Sequence, residues 1–169
     1  MRSVLRFAFF TAILLSLNSC GAIIKGQVIK RTAAVEESIP PEFFDSDHTL
    51  ICVLTGRNSR DKYMKKHIEN EYTGNYVFVL REELEDPLYA DTDTYRYLFD
   101  YEARQSSQMV TNPRTGTMRN SFAGSSLYFI KDRKTQLVYT NRATSGYFSK
   151  LIQGYVIGIE NRRKEKGSE

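Results

Sequence analysis

The chain has 169 residues and a mass of 19.5 kDa, which is one domain's worth of polypeptide. Its 41% hydrophobic and 26% charged residues supply a core and exclude disorder throughout, a collagen-like rod and a multi-span membrane protein. The formal charge of +4 is unevenly placed: no acid precedes Glu36, and residues 1–35 hold five of the 24 bases, leaving 19 against 20 acids in the rest. The pI near 9.0 therefore describes the N-terminal end and is no footprint of nucleic-acid binding.

Arg2 and Arg6 open the chain, and the apolar run FAFFTAILLSL follows over residues 7–17. Eleven helical residues reach about 16 Å, short of the roughly 20 residues a membrane span needs, so the run suits the apolar region of an export signal. Leu17-Asn18-Ser19-Cys20, followed by Gly21, resembles the lipobox of bacterial lipoproteins. The resemblance implies cleavage before Cys20, a lipid on its thiol, and residues 1–19 as signal peptide. It also implies, since no acid stands just after Cys20, a position on the outer membrane facing the periplasm. Residues 20–47 then read as a lipidated tether, with Lys25, Lys30 and Arg31 on a solvated face and Pro40-Pro41 against a continuous helix.

The domain is expected over residues 48–162, with 163–169 as a polar tail. Residues 49–55 (TLICVLT) are continuously apolar, which predicts a strand covered on both faces. Asn58 or Ser59 is placed to cap a helix whose stripe is Met64, Ile68 and Tyr72. Residues 76–80 (YVFVL) form a second β-rich run, completing a βαβ unit. Residues 95–101 (YRYLFDY) fit a helix through Tyr95, Leu98, Phe99 and Glu102 or a strand through the alternating Tyr95, Tyr97, Phe99 and Tyr101; the caps offered at 91–94 slightly favour the helix. A hairpin or ordered loop turns at residues 112–116, and strands follow at 127–130 and 136–139. Phe148, Leu151, Ile152, Tyr155, Val156 and Ile159 recur at helical spacing, with Gly154 and Gly158 expected to pack closely on the sheet.

A βαβ unit, a variable middle and a closing ββα resemble the thioredoxin-like fold, so the expected class is α/β with one such domain. Residues 50–56 with the following helix are similar to that family's first core strand and active-site helix. Residues 123–132 (AGSSLYFIKD) are similar to the segment entering its third core strand. The resemblance puts the redox pair where Arg57, Asn58, Ser59 and Arg60 stand and the cis-proline near Ser125 and Ser126. No cysteine or proline occupies those places, so it implies a domain without the redox machinery and without a cofactor. Two arginines beside a helix N-terminus would suit a carboxylate or phosphate. Cys52 reads as a buried structural thiol, and His48 and His67 have no partner at ligand spacing.

The expected function is a redox-inactive envelope lipoprotein that binds a protein or peptide as an accessory or assembly factor. The six residues Arg57, Asn58, Ser59, Arg60, Ser125 and Ser126 are its candidate contacts, and the membrane is reached through Cys20. The alternatives are an envelope enzyme, either a single-thiol oxidoreductase using Cys52 or an unrecognised hydrolase, and a binder of small anions at residues 57–60.

Overall fold

The computed structural model describes residues 19–45 and 47–167, without the side chains of residues 19, 20, 108 and 121–123. The expected signal peptide, apart from residue 19, lies outside them. The protein is mixed α/β. Strand β1 (Leu50–Leu54) has all five residues buried, as its continuous apolarity requires. Helix α1 (Ser19–Ala34) precedes it, and α2 (Asn58–Glu71) crosses over to β2 (Tyr76–Leu80), which runs parallel to β1 with Leu50 opposite Tyr76. On the other side of β1 stands β3 (Tyr97–Thr111), also parallel, with Cys52 opposite Phe99. β4 (Met118–Asp132) returns antiparallel along all of β3, and β5 (Val138–Tyr139) and β6 (Thr144–Ser145) pair with β4. The strand order is β2-β1-β3-β4-β5, with β6 beside β4. Helix α3 (Phe148–Lys166) closes the chain.

Two cores follow from the alternation along the strands. On one face Leu50, Cys52, Leu54, Phe99, Tyr128 and Ile130 meet Met64 and Ile68 of α2 and Leu151, Ile152, Tyr155 and Ile159 of α3. On the other face Ile51, Val53 and Val79 lie beneath Leu84, Tyr89 and Tyr95 of the β2–β3 connection.

Residues 95–101 enter a strand, not the expected helix. Tyr97, Phe99 and Tyr101 are buried alternately while β1 supplies hydrogen-bonding partners on one side and β4 on the other. The caps at 91–94 are used in a tight turn instead: Asp91 accepts from the Asp93 N–H at 2.8 Å and the Thr94 hydroxyl at 2.6 Å. β3 also takes the place next to β1, so the segment read as entering a third core strand lies one strand further out.

The expected tether over 20–47 is part of the fold. Val28, Thr32, Ser38, Ile39 and Phe43 are buried. α1 lies against α3, and the two glycines expected to pack on the sheet form its seat. A Cβ on Gly154 would stand 2.8 Å from Cβ of Val28, and one on Gly158 would stand 2.6 Å from Cβ of Thr32. Only a missing side chain lets the helix backbones approach so closely. Polar bonds complete the joint. The Asn141 amide donates to the Thr32 hydroxyl at 2.8 Å, Ser38 Oγ donates to the Thr32 carbonyl at 2.6 Å, and the Tyr155 hydroxyl donates to the Ser38 carbonyl. Pro40-Pro41 ends nothing more than a short turn after α1 is complete. The described part of the polar tail is attached as well: Arg163 donates to the Tyr72 hydroxyl at 2.6 Å and lies over the Tyr72 ring at 4.7 Å.

Candidate functional site

α2 starts at the carboxyl end of β1, so residues 57–60 stand where an α/β sheet usually presents ligand contacts. Gly56 makes the sharp exit from the strand with φ of +73°. Arg57 takes the N-cap position, and its side chain caps nothing. Asn58 and Ser59 are the first helical residues and are exposed, so neither is the expected cap. Asp61 fastens the start of the helix: its carboxylate accepts from the Thr55 N–H at 3.1 Å and the Thr55 hydroxyl at 3.3 Å. An acid in the first turn also complements the helix dipole.

The resemblance singles out two places distant in sequence, and the structure brings them together. Arg60 Nη1 donates to Ser126 Oγ at 2.5 Å. Its guanidinium lies 4.6 Å from the Tyr101 ring centre and 5.0 Å from that of Phe148. Tyr101 and Thr55 share a hydroxyl hydrogen bond of 3.2 Å. Arg60 thereby ties α2 to β3, β4 and the start of α3. Ser126 is buried and Ser125 half-buried beside it. Such a clasp fits a fold-closing role. Arg60 is half-buried, with one hydrogen bond to Ser126 and two aromatic contacts inside the chain, which leaves the exposed Arg57 as the outward base of the loop.

Next to it, Arg81 pairs with Asp100 at 2.6 Å. Burial raises the Asp100 carboxyl above the ordinary range, while the Tyr101 N–H and Arg81 draw it back. The recess lined by Thr55, Gly56, Leu80, Arg81 and Glu82 measures only about 80 Å³, too small for more than a few atoms.

Cys52 is fully buried in mid-strand, and burial pushes its thiol far up. The thiolate that redox or nucleophilic chemistry requires does not form there. His48 packs between the rings of Phe43 at 4.8 Å and Tyr97 at 4.6 Å. The Tyr97 hydroxyl is pushed up to about 12 by burial. His67 Nε2 is 3.1 Å from Ser149 Oγ. Among the described residues no three His, Cys, Asp or Glu gather as a metal site, and no helix is long and apolar enough to cross a membrane.

Two features escape a reading of the sequence. One is a groove of about 510 Å³ at the far end of α3, floored by Ile39, Pro40, Pro41 and Phe44 and edged by Glu36, Arg162 and Lys166. Its floor comes from the supposed tether, so no local pattern announces it. The other is the exposure of the outer half of the β3–β4 hairpin, whose turn lies where the sequence places it, at residues 112–116. From residue 102 to the turn and back to 124, every residue with a described side chain is exposed. This ribbon stands beyond the sheet on its own. Polar strands exposed on both faces leave no alternation to read.

No family model, no curated protein and no solved structure matches the chain.

Proposed function

We propose that the chain is a lipid-anchored envelope module that works by binding rather than turnover, holding a protein or peptide in the groove between residues 36–44 and the end of α3. The groove carries this reading. Its volume of about 510 Å³, apolar floor and rim of both charge signs suit an extended segment with one or two apolar side chains. It lies at the opposite end of α1 from Cys20, roughly 24 Å away for 16 helical residues. A lipid on Cys20 therefore leaves the groove open to the aqueous compartment. The buried Cys52 thiol speaks against the single-thiol enzyme. The engagement of Arg60 speaks against the small-anion loop. A thioredoxin-like kinship has the succession βαβ, hairpin and closing helix in its favour, and β3 interposed beside β1 against it.

The test is photo-crosslinking in the producing cell, with the reactive amino acid at Pro41 in the groove or at Lys62 on the exposed side of α2. A discrete adduct from position 41, absent from position 62, is expected. No adduct at 41, or the same pattern at both places, rejects the groove. Mass spectrometry of the purified protein tests the anchor separately: a mature chain starting at a diacylated Cys20 is expected, and an unmodified thiol rejects it.

A further inference from the structure

Helix α1 and helix α3 are parallel. Gly21 meets Lys150, Gly154 meets Val28 and the carbonyl of Lys25, and Gly158 meets Thr32, so the contacts advance together along both chains. Cys20, in the first turn of α1, is thus level with the start of α3. That start lies at the root of the ribbon, because Phe148 covers Arg60, which is bonded to Ser126, and Ser126 is paired with Ser145. β3 runs in the direction of β1 and continues past its end. The candidate lipid site and the ribbon therefore emerge at the same end of the molecule. About nine residues separate the ribbon's root from its turn, which at ~3.3 Å per residue carries it roughly 30 Å beyond the level of Cys20.

No irregular tether intervenes to lift the domain away, since α1 is one continuous helix from Ser19 and adjoins Lys150 of α3 already at Gly21. A bilayer that holds a lipid on Cys20 must meet the ribbon. The chemistry of the ribbon matches that encounter. Residues 103–125 contain three arginines, Arg104, Arg114 and Arg119, and no acid. The register puts Arg104 opposite Ser125 and Arg119 opposite Val110, so the two bases share one face, and Arg114 stands in the turn. All three are exposed. The nearest acid, Glu102, is engaged with Arg104 at 3.3 Å. Met109 and Met118, on the other face, are also exposed.

We propose that the β3–β4 ribbon is a second membrane contact, its arginine face lying along an anionic bilayer surface. The orientation rests on the reading of Cys20 as the lipid site, while the affinity of the ribbon for anionic lipid does not. Each base near such a surface strengthens binding several-fold, so three give roughly a hundredfold, and salt screens the effect.

The experiment uses the chain from residue 20, its mature form on this reading, with Cys20→Ser, which removes the lipid and leaves the ribbon. It compares this protein with the same protein carrying Arg104→Gln, Arg114→Gln and Arg119→Gln. Sedimentation with vesicles of phosphatidylglycerol and phosphatidylcholine, against phosphatidylcholine alone, reads the affinity. The apolar leader is absent from both proteins, so the difference isolates the ribbon. Binding to the anionic vesicles that is weakened about a hundredfold by the triple substitution and lost in half-molar salt is the expected result. Equal binding by both proteins, or no preference for the anionic vesicles, overturns the proposal. A concentration-dependent dimer broken by Met109→Ser and Met118→Ser, without vesicle binding, overturns it in favour of a second copy. If the lipid is absent from the native Cys20 but the vesicle result holds, the anchor fails and the ribbon contact stands.

Discussion

Arg60 shows how a residue that looks available in the sequence is consumed by the fold. Its hydrogen bond to Ser126 and its place between Tyr101 and Phe148 together stabilise the native state by about 2 kcal/mol, given typical values for charged hydrogen bonds and partly exposed cation–π contacts. Arg60→Ala should therefore lower the unfolding free energy by that amount, read as a urea midpoint lower by roughly 1 M at unchanged m. Arg60→Lys should recover only part of it, because an ammonium cannot reproduce the planar fork. Unchanged stability in both variants would return Arg60 to the list of ligand contacts. His67 gives a second reading at this scale. Burial holds its pKa below the ordinary value of about 6.5, outweighing Glu71, with Lys66 and Lys150 acting in the same direction as burial. The native state then binds fewer protons at this site than the unfolded chain. The resulting stability is complete above about pH 6.5 and is lost as the pH falls toward the native pKa. Denaturant unfolding between pH 7 and pH 5 should show a steeper loss in the native sequence than in His67→Gln. Parallel slopes would mean that His67 contributes none of it.

At the scale of elements, α1 depends on a surface that only α3 supplies. Gly158→Ala drives a methyl group against Cβ and the methyl of Thr32, neither of which is the flexible end of a long side chain. Overpacking of this kind costs about 1–3 kcal/mol. Amide exchange should show α1 opening first in this variant, ahead of β1, and equal protection of the two would refute the seat. The same joint explains what the sequence conceals. β1 declares itself because all five residues are buried and apolar. α3 declares itself through Leu151, Ile152, Tyr155 and Ile159 at helical spacing. α1 does not, because its buried residues are few and one of them, Thr32, is polar. Its partner surface is a pair of glycines far along the chain. Gly154 and Gly158 signalled close packing, but what packs there was not local information. The meeting of Arg60 with Ser126 was implied only through the resemblance, whereas the groove at Ile39 and Phe44 depends on the folding-back of residues 36–44 and had no local signal.

On the scale of the whole molecule, order and exposure divide the chain in an unexpected place. The segment expected to be loose is built into the core, and part of the expected domain stands outside it. Val28, Ile39 and Phe43 are within 3% of complete burial, while Met109, Val110 and Met118 are at least half exposed. Removing surface that touches no core changes stability by about half a kcal/mol or less, which for a domain of this size moves the melting temperature by only one or two degrees. Replacing residues 105–124 by an Asn-Gly turn, which favours a two-residue hairpin, should therefore leave cooperative melting almost unchanged. Deleting residues 19–34 should abolish it, because the deletion exposes the glycine seat on α3 and strips partners from Asn141 and Ser38. Calorimetry on the two variants separates the alternatives. A ribbon deletion that unfolds the protein would make the ribbon a structural element and remove the reason to look for its partner. A helix deletion that melts normally would restore a tether between the lipid and the domain, and with it the freedom of the domain to stand clear of the membrane.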